Sequence, residues 1–356
     1  MGNRGIKLKT RGIASVVLLA ASLAVLTSCG DGDARDEPIR KTEFLLDTVC
    51  SVTVFSRDDE DCAAEALALC ADYERRLSRT VADSEVSKIN GAGGAETTVS
   101  DETAALLERA LYYGAVSEGK FDVTIGGVSA LWDFSSDTED RAAPNPSDIE
   151  AALPSVGFEN IELSGNRVRL KDPATRLDLG GIAKGFIADK MAEYLTEQGV
   201  ESALIDLGGN IVTVGEKQGG APWKVGIRNP LPASEGAEAI IGSVEVTGTV
   251  SVGTSGTYER FFVQDGTRYH HILDPATGFP ARTDLAGITA VTEKSVDGEG
   301  ITTMCVILGS DRARVYLEQN DIPAVLVKTD GTVITTGDVN YEPVSVSKDG
   351  DHDGNQ

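Results

Sequence analysis

The sequence predicts an α+β fold in a single domain, and three observations carry that reading. Helix-period and strand-period segments alternate along the chain without a clean linker between them. Several neighbouring strand segments are separated by turns short enough for antiparallel pairing. Apolar residues make up 41% of 356 positions, enough for one sizeable core.

The first segment is not part of that domain. "MGNRGIKLKTR" is basic, and "GIASVVLLAASLAVL" is an apolar run of signal-peptide length, short of the ~20 residues that span a bilayer comfortably. "LTSC", Leu26 to Cys29, follows, and a cysteine after Leu-Thr-Ser resembles the bacterial lipobox, in which that cysteine is diacylated and becomes the mature N-terminus. A plain signal peptide or one spanning helix is the alternative. Residues 1–28 are thus expected to be a lipoprotein signal, 29–42 a solvated tether, 43–343 the folded domain and 344–356 a disordered tail.

Within the domain, "TEFLLDTVCSVTVFS" reads as a strand or hairpin, and "DDEDCAAEALALCADYERRLS" as a helix with an acidic first turn. "DETAALLERALYYGAVSEG" is a second helix, closed by Gly119. "NIELSGNRVRLKDPATRLDLGG" reads as short strands joined by turns, followed by a helix to about Gly199. "ESALIDLGGNIVTVG", "WKVGIRNP", "IIGSVEVTGTVSVGTSG" and "ERFFVQDGTRYHHI" are rich in β-branched residues and glycine turns. A late helix around "GITTMCVILG" and a strand pair, "PAVLVKTDGTVITTG", with a Asp-Gly hairpin turn, close the domain. "LDLGG" and "IDLGG" echo each other, either as a duplication or as two similar strand ends.

Lys plus Arg is 32 and Asp plus Glu is 56, a net charge of −24. Nucleic-acid binding rests on basic surface, so no nucleic-acid partner is expected. An anionic ligand would need a local device: a helix start, a lysine or a divalent metal. "RLDLGGIAKGFIADK" offers one. A β-like run ends in two glycines, and apolar residues then recur at helical spacing, with Asp178 before the turn and Lys184 after it. Such a turn brings backbone N–H groups to an anion.

Other polar clusters allow two readings each. Ser and Asp in "SRTVADSEVSKIN" act as caps or as a site. Trp132 and Phe134 either pack in the core or stack on a flat ring. His270 and His271, two of only three histidines, alternate faces of a strand, so one can face a cleft as an acid/base or be held structurally. "DGEGITTM" either caps a helix or offers hard oxygens to Mg²⁺. After Cys29, Cys50, Cys62, Cys70 and Cys305 remain. They form no Cys-x-x-Cys pair, and four cysteines allow three pairings among which the sequence does not choose.

Taken in order, "LLDTVCSVTV", "LSRTVADSEVSKIN", "GKFDVTIGGVSALWDF", "LDLGGIAKGFIADK", "LIDLGGNIVTVG", "PWKVGIRNP", "TSGTYERFF" and "YHHILDPATGFPA" resemble the FAD:protein FMN transferase family, the ApbE-like flavin transferases. The resemblance runs from about Leu45 to about Gly337. It implies a T-fold-like α+β domain. It implies an enzyme that binds FAD as substrate, cuts its pyrophosphate with Mg²⁺, and transfers FMN to a threonine hydroxyl of an acceptor flavoprotein, releasing AMP. On that pattern Leu46, Lys120, Phe121, Asp122, Asp178, Lys184 and Ile272 contact the flavin nucleotide. Gly181 (by its backbone oxygen), Glu299 and Thr303 hold the metal. His271, with Asp274 as its orienter, is the candidate base for the weakly nucleophilic threonine. Two departures stand out. Gly127 occupies a position that is commonly proline in the family. Glu299 falls on the aspartate ligand of a segment that usually reads Ala-Asp-Ala/Gly-Leu-Ser-Thr, with Asp297 two residues upstream as the other candidate.

Overall fold

The structure, a computed structural model, describes residues 37–134, 141–231 and 239–344. The chain opens on a hairpin, β1 (Ile39–Leu45) and β2 (Thr48–Val54). Then come α1 (Glu60–Leu77), α2 (Glu85–Gly91), β3 (Thr97–Thr98), α3 (Asp101–Val116), α4 (Gly126–Trp132), α5 (Pro146–Ala152), β4 (Ile161–Ser164) and β5 (Arg167–Leu170). The helix α6 (Ala183–Glu197) leads to β6 (Ser202–Leu207), β7 (Asn210–Gly215), β8 (Trp223–Arg228), β9 (Ile240–Val246), β10 (Ser251–Gly256), β11 (Phe261–Gln264) and β12 (Thr267–His270). β13 (Leu285–Thr292), α7 (Ser295–Leu308), α8 (Ser310–Gln319), β14 (Ala324–Lys328), β15 (Val333–Thr336) and β16 (Tyr341–Pro343) complete it.

Eight strands form one antiparallel sheet in the order β1-β2-β6-β7-β10-β13-β14-β15. Period-2 alternation gives each strand two jobs. Cys50, Val52, Ile205 and Leu326 face the main core with α1, α6 and α7. Leu204, Ile211, Val252 and Val325 face the other way, onto the small sheet β16-β9-β8 and its Trp223. A third cluster, Val128, Trp132, Ile149, Phe262 and Leu273, seats the β11–β12 hairpin against α4 and α5. The α+β class with a largely antiparallel sheet and packed helices is therefore the observed one.

Several expectations need correction. Residues 39–42, expected in the tether, belong to β1, because Ile39 pairs with Val54 and packs on the core. "TRLDL" is extended but makes only an isolated bridge, Ile125 with Arg176, so the segment before the GG turn is not a sheet strand. Gly119 does not close α3 alone: Glu118 already takes φ +55° before Gly119 at +77°. The late helix begins earlier than "GITTMCVILG", since α7 starts at Ser295 and takes in all four residues of "DGEG". Its glycines serve close packing: a Cβ on Gly300 would lie 2.5 Å from the Tyr113 ring, and one on Gly298 would lie 3.0 Å from Thr292. The "LDLGG" and "IDLGG" echo dissolves, because Gly208 and Gly209, at φ +66° and +95°, form a two-residue hairpin turn between β6 and β7. The signal segment, Cys29 and the tail from 345 onward lie outside the described residues.

Candidate active site

A cavity of about 820 Å³ opens at one end of the sheet, between the β1–β2 turn, the segment before α4, the start of α6, the end of β10 and one face of α7. All eleven flavin, metal and base residues that the resemblance implies line it, including Leu46, Lys120, Phe121, Asp122, Ile272 and His271, whereas Asp274 and Asp297 do not. Its charged lining is Arg79, Lys120, Lys184, Arg228 and Arg260 against Asp47, Glu74, Asp122, Asp178, Glu259 and Glu299. Five cations against six carboxylates is close to neutral, in a chain of −24. The cavity is thus where this acidic protein can receive an anion.

The GG turn is built by Asp178. Its Oδ1 accepts the Gly180 N–H at 3.0 Å, its Oδ2 accepts the Ser129 hydroxyl at 2.6 Å, and Arg79 Nε stands 3.1 Å from Oδ2. The turn delivers the chain into α6 with Lys184 in the first helical turn, at the positive end of the helix. Lys184 Nζ lies 3.3 Å from Glu299 Oε1. Burial opposes the charge on Lys184, but the carboxylates of Glu299 and Glu259 outweigh it and hold its pKa above the ordinary value. Burial lifts the Glu299 carboxyl above its usual range, with Lys184 pulling the other way.

Glu299 and Thr303 are one helical turn apart on α7 and both reach the cavity. Thr302, one residue round, turns instead to β10, where its hydroxyl meets Ser255 Oγ at 2.8 Å. Gly181 approaches the same point: a Cβ there would lie 3.8 Å from Thr303 Cγ2 and 3.4 Å from the Phe121 ring. Asp297, two residues before Glu299, projects from another side of α7. It pairs with Arg109 and accepts the Tyr113 hydroxyl at 3.0 Å, and it does not line the cavity. One buried carboxylate, one hydroxyl and one backbone oxygen are hard donors suited to Mg²⁺, which keeps its remaining positions for water and phosphate oxygens. No group of three or more His, Cys, Asp or Glu side chains suited to a metal occurs among the described residues. The donor set therefore fits a metal shared with a phosphate substrate better than a protein-only cage.

His271 faces the cavity while His270 faces the interior, as their alternation requires. His270 Nε2 lies 3.1 Å from the Ala281 carbonyl. His271 Nδ1 lies 3.3 Å from the Arg260 carbonyl. With Nδ1–H donating there, Nε2 presents its lone pair. Burial, then the Arg260 charge, pushes the His271 pKa down to about 4, so the ring is neutral at physiological pH. Asp274 is not its orienter, because that carboxylate pairs with Lys120 at 3.0 and 3.1 Å. The role falls to the Arg260 backbone. The Arg260 guanidinium in turn holds the β1–β2 turn, donating to Leu46 O at 3.3 Å. Leu46 and Asp47 both sit at φ +55°, and the Leu46 N–H donates to Glu74 Oε1 at 2.8 Å.

The remaining residues have quieter parts. The Asp122 carboxylate accepts from the Thr124 hydroxyl at 2.6 Å and its N–H at 2.8 Å, bracing the turn into α4. Phe121 and Ile272 are nearly buried and give the cavity an apolar floor. Trp132 is core: its indole N–H donates to Gly278 O at 2.8 Å and its ring stacks on Phe134, which does reach the cavity. Arg79, Arg228, Glu259 and Arg260 were not singled out from the sequence. They sat inside quoted motifs, but a lone arginine or glutamate carries no spacing signal.

The profile of the ApbE family matches residues 46–326. The chain belongs to the ApbE family. It is 36% identical over 322 residues to the FAD:protein FMN transferase of Treponema pallidum (strain Nichols), covering 85% of this chain and 87% of that one. It is 38% identical over 280 residues to one from Klebsiella pneumoniae (strain 342), covering 78% and 85%. Among solved structures, the ApbE protein of Thermotoga maritima superposes with a TM-score of 0.78 at 28% identity, over 84% of this chain and 97% of that one. The flavin transferase ApbE of Vibrio cholerae gives 0.75 at 26%, over 84% and 97%. Gly127, where the resemblance leads one to expect proline, lies in the first turn of α4 with nothing within 4 Å of its would-be Cβ.

Proposed function

We propose that this ApbE-family chain transfers FMN from FAD to a threonine hydroxyl of an acceptor protein, with Mg²⁺ as its metal and AMP as the released product. The observation that carries the reading is one cavity holding a neutral, cavity-facing His271, a charged Lys184 at a helix start, and a buried Glu299 beside it. The names of the relatives support flavin transfer as the activity.

Phosphoryl transfer asks a protein mainly for positioning and charge neutralisation. In the proposed step the threonine oxygen bonds to the phosphorus of the FMN moiety, and the bond from that phosphorus to the AMP oxygen breaks. His271 Nε2 takes the hydroxyl proton, and the Arg260 carbonyl holds the ring in the tautomer that leaves Nε2 free. Lys184 and the start of α6 face the pyrophosphate, and the Asp178-braced GG turn fixes where that helix begins. Mg²⁺, when held by Glu299, Thr303 and the Gly181 oxygen, supplies further neutralisation of phosphate charge. Leu46, Lys120, Phe121, Asp122 and Ile272 shape the flavin side.

We also propose that the protein is exported and held at the bacterial membrane by a lipid on Cys29, a reading supported by the lipobox alone. Incubation with FAD, Mg²⁺ and a threonine-bearing acceptor tests the activity. Covalent flavin fluorescence on the acceptor supports transfer. Free FMN and AMP without it would indicate an FAD pyrophosphatase, and intact bound FAD would indicate a flavin-holding protein without catalysis.

A further inference from the structure

Both halves of the proposed phosphate and metal site stand on helices, Lys184 on α6 and Glu299 with Thr303 on α7. Their relative placement therefore depends on what fixes α7 against α6. Asp189, one helical turn beyond Gly185 on α6, is only 7% exposed. Its Oδ1 accepts the Ser295 N–H at 2.7 Å and its Oδ2 accepts the Val296 N–H at 2.9 Å. These are first-turn donors of α7, which have no partner within their own helix. Ser295 Oγ and Asn210 of β7 hydrogen-bond at 2.8 Å, and both residues are almost fully buried. Gly185 lets the helices meet: a Cβ there would lie 2.6 Å from the Ser295 carbonyl carbon and 2.7 Å from Glu299 Cγ. The clamp and the close crossing thus act on the same turn of α7, four residues before Glu299.

We infer that Asp189 is a positioning residue that anchors the first turn of α7 to α6 and so sets Glu299 and Thr303 against Lys184 and Gly181. The inference rests on the proposed function. Asp189 touches no cavity group itself and acts through the helix. A carboxylate suits the task because it offers two acceptors to two adjacent N–H groups. An amide of the same shape turns an NH₂ toward one of them.

The test compares wild type, Asp189→Asn, Asp189→Ser and a core variant of the same helix, Met191→Ala, in the mature chain. Met191 is fully buried and does not line the cavity. Two readouts are taken beside the thermal midpoint. One is FAD fluorescence at stepped Mg²⁺, which gives the metal half-saturation without turnover. The other is amide exchange along residues 295–303 without ligand. Asp189→Asn is expected to raise the Mg²⁺ half-saturation about tenfold, the lower end of what lost support of a metal ligand costs. Its faster exchange should extend to Thr303. Met191→Ala is expected to lower the midpoint at least as far while leaving the half-saturation in place. An unchanged half-saturation in both Asp189 variants, or an equal shift in Met191→Ala, overturns the inference. If wild type shows no Mg²⁺-dependent FAD signal, the functional reading fails. The exchange data then decide alone: faster exchange confined to Ser295 and Val296 refutes positioning, and its spread to Thr303 supports it.

Discussion

Replacing Glu299 by glutamine keeps the shape of the side chain and removes one buried charge. Glu299 is 6% exposed, and its carboxylate stands 3.3 Å from Lys184 Nζ. At an effective dielectric near 20, a unit pair at that distance is worth roughly 5 kcal/mol before desolvation. Removing one partner of a buried pair costs about 3–5 kcal/mol. Lys184 keeps some solvent contact and has Glu259 as a second counter-charge, so the lower end, about 3 kcal/mol, is expected. For a domain of this size that lowers the thermal midpoint by roughly 6–12 °C. Loss of the buried carboxylate that α7 presents to the cavity beside Thr303 should cut Mg²⁺-dependent flavin transfer by about 100-fold. Asp297→Asn is the internal control. Asp297 pairs with Arg109 and Tyr113 away from the cavity, so it should lose about 1 kcal/mol of stability and keep most of the transfer. Acceptor flavinylation across a Mg²⁺ titration, with melts in parallel, measures both. An active Glu299→Gln beside a dead Asp297→Asn would refute the assignment of the metal ligand.

His271→Ala should abolish transfer while FAD still binds, as read by flavin fluorescence. In the wild type, protonation of His271 removes the base, so the rate falls as pH drops through about 4 rather than near the ordinary histidine value of about 6.5; a histidine limb at 6.5 would contradict the burial argument. Lys184→Met should weaken FAD binding and leave riboflavin binding little changed, because the lysine faces phosphate, and equal losses for both ligands would count against that placement. Gly185→Ala should separate α6 from α7 and destabilise the fold by about 1–3 kcal/mol in denaturant melts, since its Cβ would overlap the Ser295 backbone. Cys29→Ala should leave an unprocessed or soluble form, and normal processing and membrane retention of that variant would sink the lipobox reading.

Periodicity carried most of the fold. Helices α1, α3 and α6 and the closing hairpin β14–β15 emerge where apolar spacing and turn chemistry place them, because each buries one regular stripe. The boundaries that failed had tertiary causes. "DGEG" looks like a breaker in one dimension, yet its glycines let α7 lie against Tyr113 and β13. "TRLDL" has strand composition, but among the described residues no sheet strand lies beside it: Arg176 and Asp178 bond the backbone of the segment that leads into α4, and Leu177 N–H and C=O are taken by the Asn90 side chain. Ordered motifs named residues that the fold brings to one cavity. Which atoms face which was not legible. That Glu299 and not Asp297 faces the cavity follows from helix phase relative to α3. The release of Asp274 from His271 follows from Lys120, 154 positions away in the chain. Asp189 was read only as part of a helical run, since a buried carboxylate capping another helix leaves no trace in local spacing.

The central claim is that FMN ends up on an acceptor threonine through an ester formed in this cavity. The direct measurement is mass spectrometry of the acceptor after incubation with the mature protein, FAD and Mg²⁺, with AMP quantified in the same mixture. The account predicts one FMN on a single threonine-containing peptide, AMP in equal amount, and neither with a Thr→Ala acceptor or after chelation of the metal. AMP and free FMN released at full rate with an unmodified acceptor would contradict it.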